Sequence, residues 1–163
     1  MNNIEFIKNF CEKYNIRDYT INDDLSIDVY DDVDLDFDPF GDYNKLNYIP
    51  IKFNKVSGYF SCSDNNLKSL KNSPIYVGRS FYCDNNMLTS LEYSPDYVRY
   101  DFICNYNRFT SLEYLSKYIG NELHCYYNPL ESLDGLTTSY NKLFCDDITK
   151  LVRKHKLKQS INL

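Results

Sequence analysis

The chain has 163 residues, 43% hydrophobic and 25% charged, a balance that excludes a disordered polymer and suits one domain or one short solenoid. Its net charge of -5 argues against a surface built for phosphate and leaves proteins as the more natural partners. No apolar stretch approaches a membrane span, and Met1-Asn-Asn-Ile-Glu-Phe6 lacks the basic start of a targeting signal, so the sequence reads as soluble and cytoplasmic.

Residues Asn3 to Tyr14 are predicted helical, since Ile4, Ile7, Phe10, Cys11 and Tyr14 recur at helical spacing and Asn2 stands three before Glu5, as in a capping box. A hairpin follows: Tyr19-Thr-Ile21 and Ile27-Asp-Val29 flank the turn-rich Asn22 to Ser26. Next, Asp32-Val-Asp-Leu-Asp-Phe-Asp38 alternates strictly. Val33, Leu35 and Phe37 go to one face, and Asp32, Asp34, Asp36 and Asp38 to the other. From Asp18 to Asn44 there are ten aspartates and no Lys or Arg, whereas 148–158 carries five basic residues and no acid, so the chain is charge-polarised from end to end.

The centre of the chain repeats one phrase. Phe60-Ser-Cys62, Phe81-Tyr-Cys83, Phe102-Ile-Cys104 and Leu123-His-Cys125 are each followed by an asparagine (Asn65, Asn86, Asn107, Asn128) and an LxSL-like clause, at a period of 21 residues. Such a period marks a solenoid, whose units bury their apolar faces only against neighbouring units. Phe and Cys of the tripeptide point inward. The asparagine turns into the interior, bonding backbone of its own turn and of the next repeat, while Ser69, Ser90, Ser111 and Ser132 bond locally. Pro74 and Pro95 make the return segment extended, with Val77, Val98 and Ile119 closing the core. A degenerate first repeat (Leu46, Ile49, Val56) has a front end stretched by six residues, including Pro39 and Gly41 among Phe37, Phe40 and Tyr43; insertions of this kind map to loops that often bind. Leu143-Phe-Cys145 echoes the repeat one residue short, and Asp146 and Asp147 then start a predicted helix to about Lys158.

Six cysteines invite a disulfide or metal reading, but four recur at the repeat interval, there is no CxxC, and the histidines number two, His124 and His155. Cys62, Cys83, Cys104 and Cys125, with the four asparagines, are therefore read as an internal structural ladder. The aspartate strand does not fit a calcium loop: counted from Asp34, the sixth position holds Pro39 where glycine is required. No cofactor, metal or catalytic constellation is expected.

The string FxCxxNxLxSL resembles the strand-and-asparagine segment of leucine-rich repeats, with FxC where LxL is usual. The proline-bearing return, as in Leu91-Glu-Tyr-Ser-Pro95-Asp-Tyr-Val98, resembles the short bacterial class found in secreted effectors. Phrases such as Lys55-Val-Ser-Gly-Tyr-Phe-Ser-Cys62 and Asp84-Asn-Asn-Met-Leu-Thr-Ser-Leu91 look still more like the Asn- and Cys-rich repeat proteins of tailed bacteriophages, over residues 27–145. Leu123 in place of Phe and Ser116 in place of Pro are departures within the fourth repeat. The resemblance implies a right-handed α/β-type solenoid with a parallel sheet on its concave side, and interaction as its function. The effectors' ubiquitin-ligase domain, with its catalytic cysteine, has no room here.

The expected organisation is a single domain: an N-terminal cap of helix, hairpin, acidic strand and loop (1–45), repeats (46–145) and a helical C-terminal cap (146–163). Candidate partner-binding residues are the outward strand positions Tyr59, Tyr82, Asp84, Asp101, Ile103, Glu122, His124 and Tyr126, with Phe40 and Tyr43 of the stretched loop. Aromatic groups crossed by acids suit a protein with a basic patch around an apolar anchor. The same tyrosines can serve cross-strand packing alone. Three functions follow as expectations: a non-enzymatic module, phage-encoded and binding a host defence or regulatory protein; an acidic mimic of nucleic acid inhibiting a DNA- or RNA-acting enzyme; or a structural protein stacking acidic end to basic end. Direct nucleic-acid and membrane binding are not expected.

Overall fold

The computed structural model describes residues 3–36, 45–133, 136 and 140–146. Helix α1 (Asn3–Lys13) buries Ile7, Phe10 and Cys11, followed by Tyr14 and Ile16. Ile4, expected on the inner side, is exposed, because the buried stripe is set by residues 7, 10, 11 and 14 and one turn earlier the helix has run past its support. Asn15 ends the helix in the left-handed region (φ 55°), and Ile16 N–H closes onto Cys11 O at 2.8 Å. The expected Asn2 cap lies outside the described residues.

Strands β1 (Tyr19–Ile21) and β2 (Ile27–Val29) form the expected hairpin, with Tyr19 opposite Val29. Its turn is fastened by Asp24, whose carboxylate accepts from Ser26 N and Oγ and pairs with Lys52 at 2.5 Å. The solenoid is built from β3 (Val33–Asp34), β4 (Phe53–Val56), β5 (Phe60–Ser61), β6 (Tyr76–Val77), β7 (Phe81–Tyr82), β8 (Tyr97–Val98), β9 (Phe102–Ile103), β10 (Tyr118–Ile119), β11 (Glu122–His124) and β12 (Lys142–Phe144).

These strands make two sheets of six, where the repeat resemblance implies one. The FxC sheet runs β3-β5-β7-β9-β11-β12, all parallel; the return sheet runs β1-β2-β4-β6-β8-β10, parallel apart from the hairpin. The second sheet exists because Pro74 and Pro95 keep the return extended, and an extended segment between identical neighbours pairs with them. Its pairing begins at β2, so the stretched first turn spans 27 residues from Val29 to Val56 and from Val33 to Phe60. Residues 37–44, which hold Phe40, Tyr43 and Asp38, lie outside the described residues, as does the expected C-terminal helix.

Between the sheets sits one core. Phe53, Phe60, Phe81, Phe102 and Phe109 are fully buried with the repeat leucines and Val56, Val77, Val98 and Ile119. Cys62, Cys83, Cys104 and Cys125 have no exposed surface, and burial pushes the first three thiols well up, as an inert apolar ladder requires. The asparagines form a second ladder. Asn107 Oδ1 accepts from Leu88 N at 3.0 Å, while its Nδ2 faces Cys83 O, Cys104 O and Asn105 O at 2.9, 3.3 and 3.2 Å. Asn65 and Asn86 repeat the pattern. The neighbour they bond is the preceding turn, not the following one: a residue in the left-handed region just before each (Asp64, Asn85, Tyr106, Tyr127; φ 52–56°) swings the amide back down the axis. Ser69, Ser90 and Ser111 each accept from the amide two residues on, as expected.

A candidate partner-binding face

Strand register turns the outward positions of the FxC sheet into three rows. Asp32, Tyr59, Ser80, Asp101, Glu122 and Lys142 form the first; Asp34, Ser61, Tyr82, Ile103, His124 and Phe144 the second; Asp36, Ser63, Asp84, Asn105, Tyr126 and Asp146 the third. The aspartate strand and the repeat positions, separate features of the sequence, are thus one surface. Its N-terminal end is carboxylate (Asp32, Asp34, Asp36, Asp84) and its C-terminal end is aromatic and mixed in charge (His124, Tyr126, Phe144, Lys142).

The candidates Tyr59, Tyr82, Asp84, Asp101, Ile103, Glu122, His124 and Tyr126 all lie half-buried on this face. Ser61, Ser63 and Ser80 are buried, shielded by larger neighbours, so the grid is narrower than the sequence suggests. Tyr59 and Tyr82 meet edge to face at 6.1 Å. His124 is held by Glu122 at 3.0 Å and stacks on Phe144 at 4.5 Å, and Asp101 accepts from Asn121 Nδ2 at 2.7 Å and Glu122 N at 3.2 Å. These side chains are therefore pre-positioned. Among the described residues no group of three His, Cys, Asp or Glu side chains is arranged to hold a metal ion.

The electrostatics concentrate at the acidic end. Asp36 is exposed as a residue, yet its carboxylate folds back on the sheet, where Ser61 Oγ donates at 2.5 Å. Withdrawal from water, opposed by the Ser61 bond and reinforced by the charges of Asp34, Asp64 and Asp84, pushes its pKa up to about 7. Asp84 is raised by burial and by Asp64, and the Tyr59 hydroxyl by burial and by Asp34, Asp32 and Asp36. A carboxyl whose folded pKa lies above its unfolded one holds a proton the unfolded chain has released, so its contribution to stability falls as pH rises from about 4 to about 7. Asp36→Asn is expected to flatten that fall, raising the urea midpoint at pH 8 and leaving it unchanged at pH 4. A lower midpoint at pH 8 would show instead that the protein needs the ionised carboxylate.

A groove that the repeat pattern does not announce runs along the solenoid where the return strands begin. It has a volume of about 600 Å³, and Ser73, Ile75, Tyr93, Asp96, Tyr114 and Lys117 are among the residues that line it. Tyr93 and Tyr114 stand in the left-handed region (φ 69° and 64°), which turns their rings outward. The available signal was Tyr93 and Tyr114 at the repeat interval, obscured because the equivalent position one turn earlier is Asn72. The groove's charges are mixed, with Lys117 paired to Asp96 and Lys52 to Asp24.

No helix among the described residues is long and apolar enough to cross a membrane. No protein-family model, curated protein or solved structure matches the chain.

Proposed function

We propose that this chain is a non-enzymatic scaffold whose FxC-sheet face binds a protein carrying basic groups beside an apolar anchor. The observation that carries the reading is the single surface formed by Asp34, Asp36 and Asp84 with Tyr59 and Tyr82, continued by Ile103 and Tyr126. Its gradient sets an orientation: the partner's Lys or Arg meets the N-terminal end and its apolar group the centre. His124 serves by packing and by its bond to Glu122, not as a catalytic base. The phrases resembling tailed-phage repeats support the reading of a phage-encoded chain whose partner is a host defence or regulatory protein.

Mimicry of nucleic acid is less well served, because it calls for carboxylates repeated along the surface, whereas the rows that begin at Asp32, Asp34 and Asp36 pass at once to Tyr59, Ser61 and Ser63. The test is affinity capture from bacterial lysate with the Tyr82→Ala, Asp101→Asn double variant. The captured protein is expected to be lost, while Lys71→Ala, on the opposite groove, retains it. Equal capture by both would remove this face as the binding surface.

A further inference from the structure

The two sheets offer opposite chemistry on their outer faces. The return sheet carries a row Asp28, Lys55, Tyr76, Tyr97, Tyr118. Its three tyrosines stack almost parallel, with centroids 5.0 and 4.6 Å apart and planes within 6° and 9°, and Ile75 beside them is 54% exposed. In the next row Arg99 stands between Gly78 and Gly120, where an added Cβ would meet Ser57 O at 2.1 Å and Arg99 O at 1.9 Å. Close approach of successive turns thus forbids side chains on either side of Arg99 and leaves it standing clear, its guanidinium over Tyr100 at 5.5 Å.

In these two rows the basic side chains, Lys55 and Arg99, outnumber the carboxylate, Asp28. Asp28 is held by Asn22 and Asn54, and Asp96 is paired with Lys117, whereas neither Lys55 nor Arg99 has a carboxylate at ion-pair distance among the described residues. Basic groups beside an apolar aromatic strip are the partner chemistry to which the acidic FxC-sheet face was assigned above. Both faces also arise from the same turns, so their rows share one axial spacing of about 4.8 Å and can match over several turns.

Resting on that reading, we infer that a second copy of this chain is a partner for the FxC-sheet face: Lys55, Arg99 and the Tyr76-Tyr97-Tyr118 strip of one copy dock on Asp34, Asp84, Tyr59 and Tyr82 of the next. The contact joins unlike faces, so it is heterologous and leaves both outer faces of a pair unfilled, extending into open stacks as concentration rises. A foreign protein on the FxC-sheet face competes with stacking.

Sedimentation of the full chain at low and high salt tests this. The wild-type average mass is expected to rise with concentration to at least twice the monomer at low salt and return to the monomer at high salt. Lys55→Glu with Arg99→Glu and, separately, Asp34→Lys with Asp84→Lys should each remain monomeric while melting as wild type. Mixed, the two reversals are charge-complementary at both contacts and should associate again in a salt-sensitive manner, whereas Lys55→Glu with Arg99→Glu mixed with the milder Asp34→Asn, Asp84→Asn pair leaves one attractive contact and should give a complex that stops at two chains. A monomeric wild type at low salt, or self-association that survives Lys55→Glu with Arg99→Glu, overturns the inference. The two failures are separable: a monomeric wild type whose lysate partner is still lost with Tyr82→Ala and Asp101→Asn rejects stacking and keeps the binding face, whereas capture indifferent to those changes rejects the face itself.

Discussion

Asn107→Ala is expected to lower stability by about 3 kcal/mol, and Asn128→Ala by markedly less, in urea unfolding followed by circular dichroism. Both asparagines are buried at the same point of successive turns. Asn107 Oδ1 takes the amide of Leu88, a residue with no exposed surface, at 3.0 Å. The carbonyls served by its Nδ2 are shared, Cys83 O with Asn86 and Cys104 O with Asn128, so their loss is partly absorbed. The dominant cost is the orphaned Leu88 N–H, which a buried donor carries at about 1–3 kcal/mol beyond the lost bonds. Asn128 Oδ1 has no partner among the described residues, so truncation there creates no such orphan. Equal losses at the two positions would mean that the ladder acts through shape alone.

Phe81→Ala should cost about 3–5 kcal/mol and Phe81→Leu about 1.5 or less, read as midpoint shifts at constant m-value. Phe81 has no exposed surface and lies between Phe60, stacked at 5.7 Å and 7°, and Phe102 at 5.0 Å and 45°. In a solenoid each turn rests only on its neighbours, so a cavity in a central turn weakens both interfaces at once and no other part of the core compensates. Leucine is tolerated because the same row already holds Leu123. If alanine and leucine behaved alike, the phenylalanine row would be a composition habit and not a packing requirement.

Much of the fold was legible because a repeat states its own geometry. Once Phe60, Phe81, Phe102 and Leu123 recur at one interval, equivalent positions must stack, and a cysteine or asparagine at a fixed place must face its own kind. The hairpin was equally plain, since Tyr19–Ile21 and Ile27–Val29 are short alternating runs around a turn. Ile4 was misjudged because helical spacing tells which residues share a side, not how far along the helix the core reaches. The asparagines were aimed at the wrong neighbour because direction along the axis depends on one left-handed residue, and Asp, Asn and two tyrosines fill that position without a common sequence mark.

The candidate site was legible only in pieces. Alternation assigned Asp32, Asp34 and Asp36 to an outward face, and repeat position did the same for Tyr59, Tyr82, Asp101 and Tyr126. The sequence by itself determined the period, the inward set and the solenoid class, because these follow from local pattern and from the demand that apolar groups leave water. Only the tertiary structure decided that the return segments close a second sheet and that the aspartate strand joins the FxC rows. It also decided that a basic tyrosine face lies opposite an acidic one. Each depends on hydrogen-bond register between segments distant in the chain, such as Val33 against Phe60 across the stretched first turn. Register is set by the apolar pattern together with turn geometry, and the geometry of a stretched, non-repeating turn is not contained in the side-chain order of either segment that it joins.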